Sequence, residues 1–78
     1  MKIEIEVNNL AELRTKRGFT QTEVAELLGL TQQGYGLIEN GKRSLKAEVA
    51  LMLSSIFGVP VDKIIFLTSG NNIKLLKK

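Results

Sequence analysis

The stretch Thr20–Gly41, TQTEVAELLGLTQQGYGLIENG, decides the fold of this 78-residue chain. It divides into two short helices joined by a tight turn. Val24, Ala25 and Leu28 fall on one face of the first helix, at the spacing of a helical stripe. Thr20-Gln21-Thr22-Glu23 has the form of a capping box, in which the Thr20 hydroxyl accepts from the Glu23 amide and the Glu23 carboxylate returns to the Thr20 amide. Phe19 just before it and Val24 just after it are placed for a hydrophobic staple. Ala25 is small where two helices must approach closely. Gly29 releases the chain with a positive φ that a side chain resists, and Leu30 plugs the turn. Thr31 caps the second helix, Gln32 and Gln33 occupy its first turn, Tyr35 and Ile38 carry its apolar stripe, and Gly41 closes it.

On the N-terminal side, Asn8 or Asn9 is a good N-cap for a helix over residues 9–17, with Leu10 and Leu13 as its inward stripe. Arg14, Lys16 and Arg17 sit in its last turn, where cations suit a helix C-terminus and could equally contact phosphate. Gly18 follows as terminator. On the C-terminal side, residues 47–57, AEVALMLSSIF, form a further helix that is apolar nearly all round. Ala47, Ala50, Leu51 and Ser54 make one stripe, and Val49, Met52, Leu53 and Ile56 make another. Gly58 ends it. Pro60 suits the first position of a last short helix, Val61–Leu67, with Asp62 in its favourable first turn. Thr68–Asn72 reads as a turn. So small a protein cannot bury every apolar face it carries here. Self-association is the natural inference, with Met52, Ile56, Ile65 and Phe66 as candidates for the dimer interface.

The two ends alternate instead of following a helical period. In Lys2–Val7, Ile3, Ile5 and Val7 face away from Lys2, Glu4 and Glu6, which argues for a strand with one buried face. The arm over residues 72–77 places Ile73 and Leu75 between polar neighbours, and its lysines would complement Glu4 and Glu6 across a ladder. Paired strands, within one chain or between two, and frayed ends are both open readings.

Composition sets the bounds. At 78 residues the chain reads as a single domain, with a core expected over residues 9–67 and 44% apolar residues to fill it. It has neither cysteine nor histidine, which removes disulfides, thiolate chemistry and the usual zinc sites and favours a reducing compartment, taken here as cytoplasmic. No metal, cofactor or small-molecule substrate is expected. No apolar run approaches the ~20 residues of a membrane span, and MKIEIEV is not a secretion signal. The net charge of +3 permits a polyanionic partner without demanding one.

The central stretch is the helix-turn-helix pattern, whose second helix can lie in the major groove of double-stranded DNA. Such a helix reads bases with the exposed side chains of its first two turns. Gln32 and Gln33 each carry a donor and an acceptor, suited to bidentate pairing with adenine N6 and N7. The Thr31 methyl can touch a thymine methyl. Gln21 lies at a helix N-terminus, where side-chain amide and dipole together favour a phosphate oxygen, and Thr20 lies beside it. Lys42 and Arg43 are placed as phosphate clamps beyond the reading helix. Tyr35 belongs mostly to the core, its hydroxyl reaching an edge and so a phosphate. Gly34 and Gly36 each cost roughly 0.5–1 kcal/mol against Ala inside a helix. Close approach to the preceding helix or to DNA, or a helix that firms only when docked, would each account for them.

Residues 10–67 resemble the lambdoid phage repressor and Cro family, the Cro/C1-type or XRE-like helix-turn-helix. The matching segments are LRTKRGFTQTEVAELLGLT, QQGYGLIENGKR and SSIFGVPVDKI, with Thr20-Gln21, Ala25, Gly29 and Ile38-Glu39-Asn40-Gly41 as the strongest marks. The resemblance implies a mainly all-α, five-helix, lambda-repressor-like DNA-binding domain. It implies base contacts from Thr31, Gln32 and Gln33, and backbone contacts from Gln21, Asn40, Lys42 and Arg43. It implies a structural Glu39, buried near Arg14 or Arg17. Leu37 departs from the pattern, since that position is commonly polar. The extension after the helices is too short for a cleavable regulatory domain, so a stand-alone Cro-like regulator is expected, a repressor acting as a homodimer on a palindromic operator. The alternative is a protein-interaction module such as an antitoxin or anti-repressor. An enzyme is not expected, with one aspartate, Asp62, and no nucleophile motif or phosphate-cradling loop.

Overall fold

The computed structural model describes residues 7–68, and among these the chain forms α-helices and no strand. The strand-like arms expected at 2–7 and 72–77, Val7 apart, lie outside the described residues. The helices are α1 (Leu10–Lys16), α2 (Gln21–Leu28), α3 (Gln32–Glu39), α4 (Ala47–Phe57) and α5 (Val61–Thr68). This is the all-α helix-turn-helix architecture that the sequence leads one to expect.

Local chemistry sets the boundaries. Asn9 is the N-cap of α1, its side chain accepting from the Glu12 amide at 2.9 Å, while the Glu12 carboxylate accepts from the Asn8 amide at 2.9 Å. The capping box of α2 is complete, with Glu23 N–H donating to Thr20 Oγ1 at 3.1 Å and Thr20 N–H donating to Glu23 Oε1 at 2.9 Å. Thr31 caps α3 by accepting from the Gly34 amide at 2.9 Å. A cap of this kind stabilises a helix by about 0.5–2 kcal/mol, which matters for helices of seven and eight residues that would be marginal alone. Between α2 and α3, Gly29 takes φ +75°, and the Leu30 amide donates back to Ala25 O at 2.8 Å, which turns the chain sharply into Thr31.

The core draws on every helix. Leu10 and Leu13 of α1, Val24 and Ala25 of α2, Tyr35 of α3, Ala50, Leu53 and Phe57 of α4, and Ile64 and Leu67 of α5 form one buried cluster. A fully buried Leu, Ile or Phe is worth about 1.5–3 kcal/mol against leaving it in water. Leu30, predicted to plug the turn, packs against this cluster together with Phe19 and Leu28. The Phe19 ring also tilts onto Phe57, with centroids 5.9 Å apart. α4 and α5 turn by 111° across the break between them. No helix among the described residues is long and apolar enough to cross a membrane.

Two details differ from the sequence expectation. The buried stripe of α4 is Ala50, Leu53 and Phe57, cutting across both stripes read from the sequence, because the helix meets neighbours on only one side. Arg17, at the C-cap of α1, turns back and donates to Phe57 O at 2.8 Å, so it caps the C-terminal end of α4 and is not a free cation at the end of its own helix.

Candidate nucleic-acid interface

Side chains from α1, α2 and α3 converge on one buried carboxylate. Glu39, at the last turn of α3, is 8% exposed and accepts from three different side chains. Arg14 donates to it through Nε to Oε2 at 2.7 Å and through the NH2 nitrogen to Oε1 at 3.4 Å. The Tyr35 hydroxyl donates to Oε2 at 2.9 Å, and Gln21 Nε2 donates to Oε1 at 2.8 Å. Arg14 also donates to Phe19 O at 2.8 Å. The expectation of a structural Glu39 thus resolves in favour of Arg14, since Arg17 is engaged at Phe57.

Electrostatics follow from this geometry. Hydrogen bonding to Glu39 raises the Arg14 guanidinium above its ordinary pKa, against the opposing effect of burial. Burial, and then the charge of Glu39, push the Tyr35 hydroxyl well above its ordinary value, so it stays protonated and donating. The hydroxyl expected to reach a phosphate is thus engaged at Glu39. The residue is fully buried and its hydroxyl points at Glu39, because the core needs its ring and the carboxylate needs its proton.

The network reaches the surface through Gln21. Its Oε1 accepts from Gln32 Nε2 at 3.2 Å, so the first side-chain amide of α3 is tied to α2. Gln32 spends one of its two N–H groups on this bond and retains the other together with Oε1. Gln33 is exposed beside it, with no side-chain hydrogen bond to another described residue, and Thr31 is exposed at the cap. Thr20, Asn40, Lys42 and Arg43 are exposed as well. The structure therefore brings Gln21 and Gln32 together at the start of α3, with Gln33 and Thr31 alongside.

Gly36 and Gly34 meet different neighbours. A Cβ on Gly36 would meet Gln21 Nε2 at 3.6 Å, an ordinary contact, so the space beside Gln21 admits a methyl group and does not itself require glycine. A Cβ on Gly34 would lie 3.1 Å from Thr31 Oγ1 and 3.4 Å from an Arg43 guanidinium nitrogen. Gly34 thus accommodates its own capping hydroxyl and lets Arg43 fold over the first turn of α3. Spacing alone did not reveal the Gln21–Glu39 and Gln21–Gln32 bonds, whose partners are eighteen and eleven residues apart. The Tyr35–Glu39 bond was readable as an i, i+4 pair on one helix face.

Leu51, Met52, Ile65 and Phe66 are 41–60% exposed on α4 and α5. Ile56, the remaining candidate for a dimer surface, is instead half-buried against the core.

A family model described as helix-turn-helix matches residues 10–64, which take in all of the network described above. The SPbeta prophage-derived HTH-type transcriptional regulator YonR of Bacillus subtilis is 40% identical over 63 residues, 81% of this chain and 56% of its own length. The propionyl-CoA carboxylase regulator of Cereibacter sphaeroides is 44% identical over 55 residues, 70% of this chain and 12% of its own length. The cryptic phage CTXphi transcriptional repressor RstR of Vibrio cholerae is 30% identical over 70 residues, 90% of this chain and 63% of its own length. This chain therefore spans less than two thirds of each of these relatives. No solved structure matches it with comparable significance.

Proposed function

The chain belongs to the helix-turn-helix family, and from that premise we propose that it is a transcriptional repressor that reads a specific double-stranded DNA sequence as a homodimer. The observation that carries this reading is the amide pair at the head of α3. Gln32 is held by Gln21 and keeps one N–H and its carbonyl, the donor and acceptor that adenine N7 and N6 require. Gln33 presents a second such amide, and the Thr31 methyl would meet a thymine methyl. Gln21, Thr20, Asn40, Lys42 and Arg43 supply phosphate contacts that set register without reading sequence. Tyr35 takes no part, since its hydroxyl serves Glu39.

Two amides read few base pairs, and a two-fold pair of domains doubles the content while fixing half-sites about one helical turn apart. The exposed Met52, Ile65 and Phe66, with Leu51, offer apolar surface for that association. The same surface favours the second reading, an interaction module such as an antitoxin or anti-repressor that engages a different protein.

Selection of bound sequences from a random duplex pool, followed by titration at a stated salt concentration, tests the proposal. A recovered motif with two-fold symmetry supports it, and Gln33→Ala should then cost about 1–3 kcal/mol on that motif while the domain stays folded. Recovery of no sequence preference would refute DNA reading. Met52→Glu separates the alternatives. Loss of dimer and of tight binding to the full motif supports the repressor, whereas loss of biological function with unchanged DNA binding supports the interaction module.

A further inference from the structure

We propose that Glu39 is a positioning residue that sets the donor–acceptor polarity of the reading amide of Gln32, acting through Gln21. The inference rests on the DNA-reading role proposed above and concerns how that role is made specific.

A carboxylate can only accept hydrogen bonds. Glu39 is buried and clamped by Arg14 at 2.7 Å and by Tyr35 at 2.9 Å, so it cannot swing away from its place. Gln21 must therefore turn its nitrogen inward to reach Glu39 Oε1, as it does at 2.8 Å. That choice leaves Gln21 Oε1 facing Gln32. A carbonyl oxygen also only accepts, so Gln32 must offer its own nitrogen, at 3.2 Å. The order of nitrogen and oxygen on Gln32 is thus dictated from the core outward through two amides.

The consequence lies at the base edge. A surface glutamine free to rotate its terminal amide by a half-turn can present donor and acceptor in either order. Its order is then set by whichever base edge it meets. With its order fixed, Gln32 offers its remaining N–H on one side and Oε1 on the other. Set with the N–H toward N7 and Oε1 toward N6, this order matches an adenine edge, whereas the reversed order would place acceptor against acceptor and donor against donor there. Glu39 touches no base in this scheme. It removes one of two amide orientations.

Pool selection with the full chain tests this. Gln32→Ala identifies the base pair facing Gln32 as the one whose preference disappears. Gln21→Met leaves the Arg14–Glu39–Tyr35 cluster in place, and Glu39→Gln replaces the pure acceptor by a group able to donate or accept. Each should reduce the preference at that pair by about five-fold or more, the low end of what a bidentate amide supplies, while the preference at other pairs holds. The double variant Gln21→Glu/Glu39→Gln places the pure acceptor next to Gln32 and should restore the preference at that pair, with affinity lowered for all sequences because the negative charge moves from the buried position 39 to the partly exposed position 21. If the wild-type chain selects a motif and Gln21→Met keeps every preference, or loses all of them together, the polarity relay is overturned. If the wild-type chain selects no motif, the DNA-reading role fails and the relay with it.

Discussion

Replacing Arg14 by Met removes the guanidinium from Glu39 while keeping an apolar stem of similar length. Arg14 and Glu39 side chains are 15% and 2% exposed, so water compensates the stranded carboxylate poorly. Removing one partner of a buried pair typically costs about 3–5 kcal/mol, because an uncompensated charge stays behind. The remaining donors, Gln21 Nε2 at 2.8 Å and the Tyr35 hydroxyl at 2.9 Å, keep the carboxylate partly solvated, which places the expectation near the lower bound of about 3 kcal/mol. Against a total of about 5–15 kcal/mol for a native domain, that is a large fraction. It corresponds to a fall in Tm of about 12–24 °C for a domain of this size. Urea unfolding followed by far-UV circular dichroism would measure it, with the m-value as a check on the two-state assumption. Arg14→Met/Glu39→Met should lose less than the sum of the two single variants, since the second substitution removes the charge that the first one strands. A loss below about 1 kcal/mol for Arg14→Met, with unchanged m, would show that the pair behaves as an exposed salt bridge and would refute the reasoning.

Four further outcomes follow from the same geometry. The Tyr35 hydroxyl is raised above its ordinary value of 10.0, so the unfolded chain gives up this proton at a lower pH than the native one. The native state then binds more protons above pH 10, and stability falls with rising pH by up to about 1.4 kcal/mol per unit. Tyr35→Phe should remove that slope, at a cost near neutral pH of about 1–2 kcal/mol for the lost bond to Glu39, both measurable by denaturant titrations between neutral and alkaline pH. In thermal melts, Gly36→Ala should raise stability by about 0.5–1 kcal/mol, since its Cβ meets Gln21 at an ordinary contact distance of 3.6 Å. Gly29→Ala should lower it by about 1–2 kcal/mol, because φ there is +75°. In DNA titrations across salt concentration, Lys42→Ala should flatten the slope of log K against log salt by about 0.9 and weaken all sequences alike.

Local sequence settles the helices and their ends. Capping at Thr20 and Thr31, the glycine breaks and the stripe through Val24, Ala25, Tyr35 and Ile38 all draw on partners within a few residues, so each is legible in the chain itself. The side chains that stand at the head of α3 are legible for the same reason, since the Thr31 cap fixes which residues occupy the first turn. Tertiary packing settles what surrounds them. Whether α4 buries one stripe or the other depends on which neighbours meet it, and periodicity cannot say which face of a nearly all-apolar helix will find a partner. Whether Arg14 or Arg17 takes Glu39 depends on how α1 crosses α3, because both cations lie within one turn of each other. Tyr35 could reach a phosphate or the carboxylate until the packing of its ring aimed the hydroxyl inward. The bonds from Glu39 through Gln21 to Gln32 exist only because α2 crosses α3 closely enough at Gly36, and a crossing distance is a property of the assembled core, which no stretch of sequence carries alone.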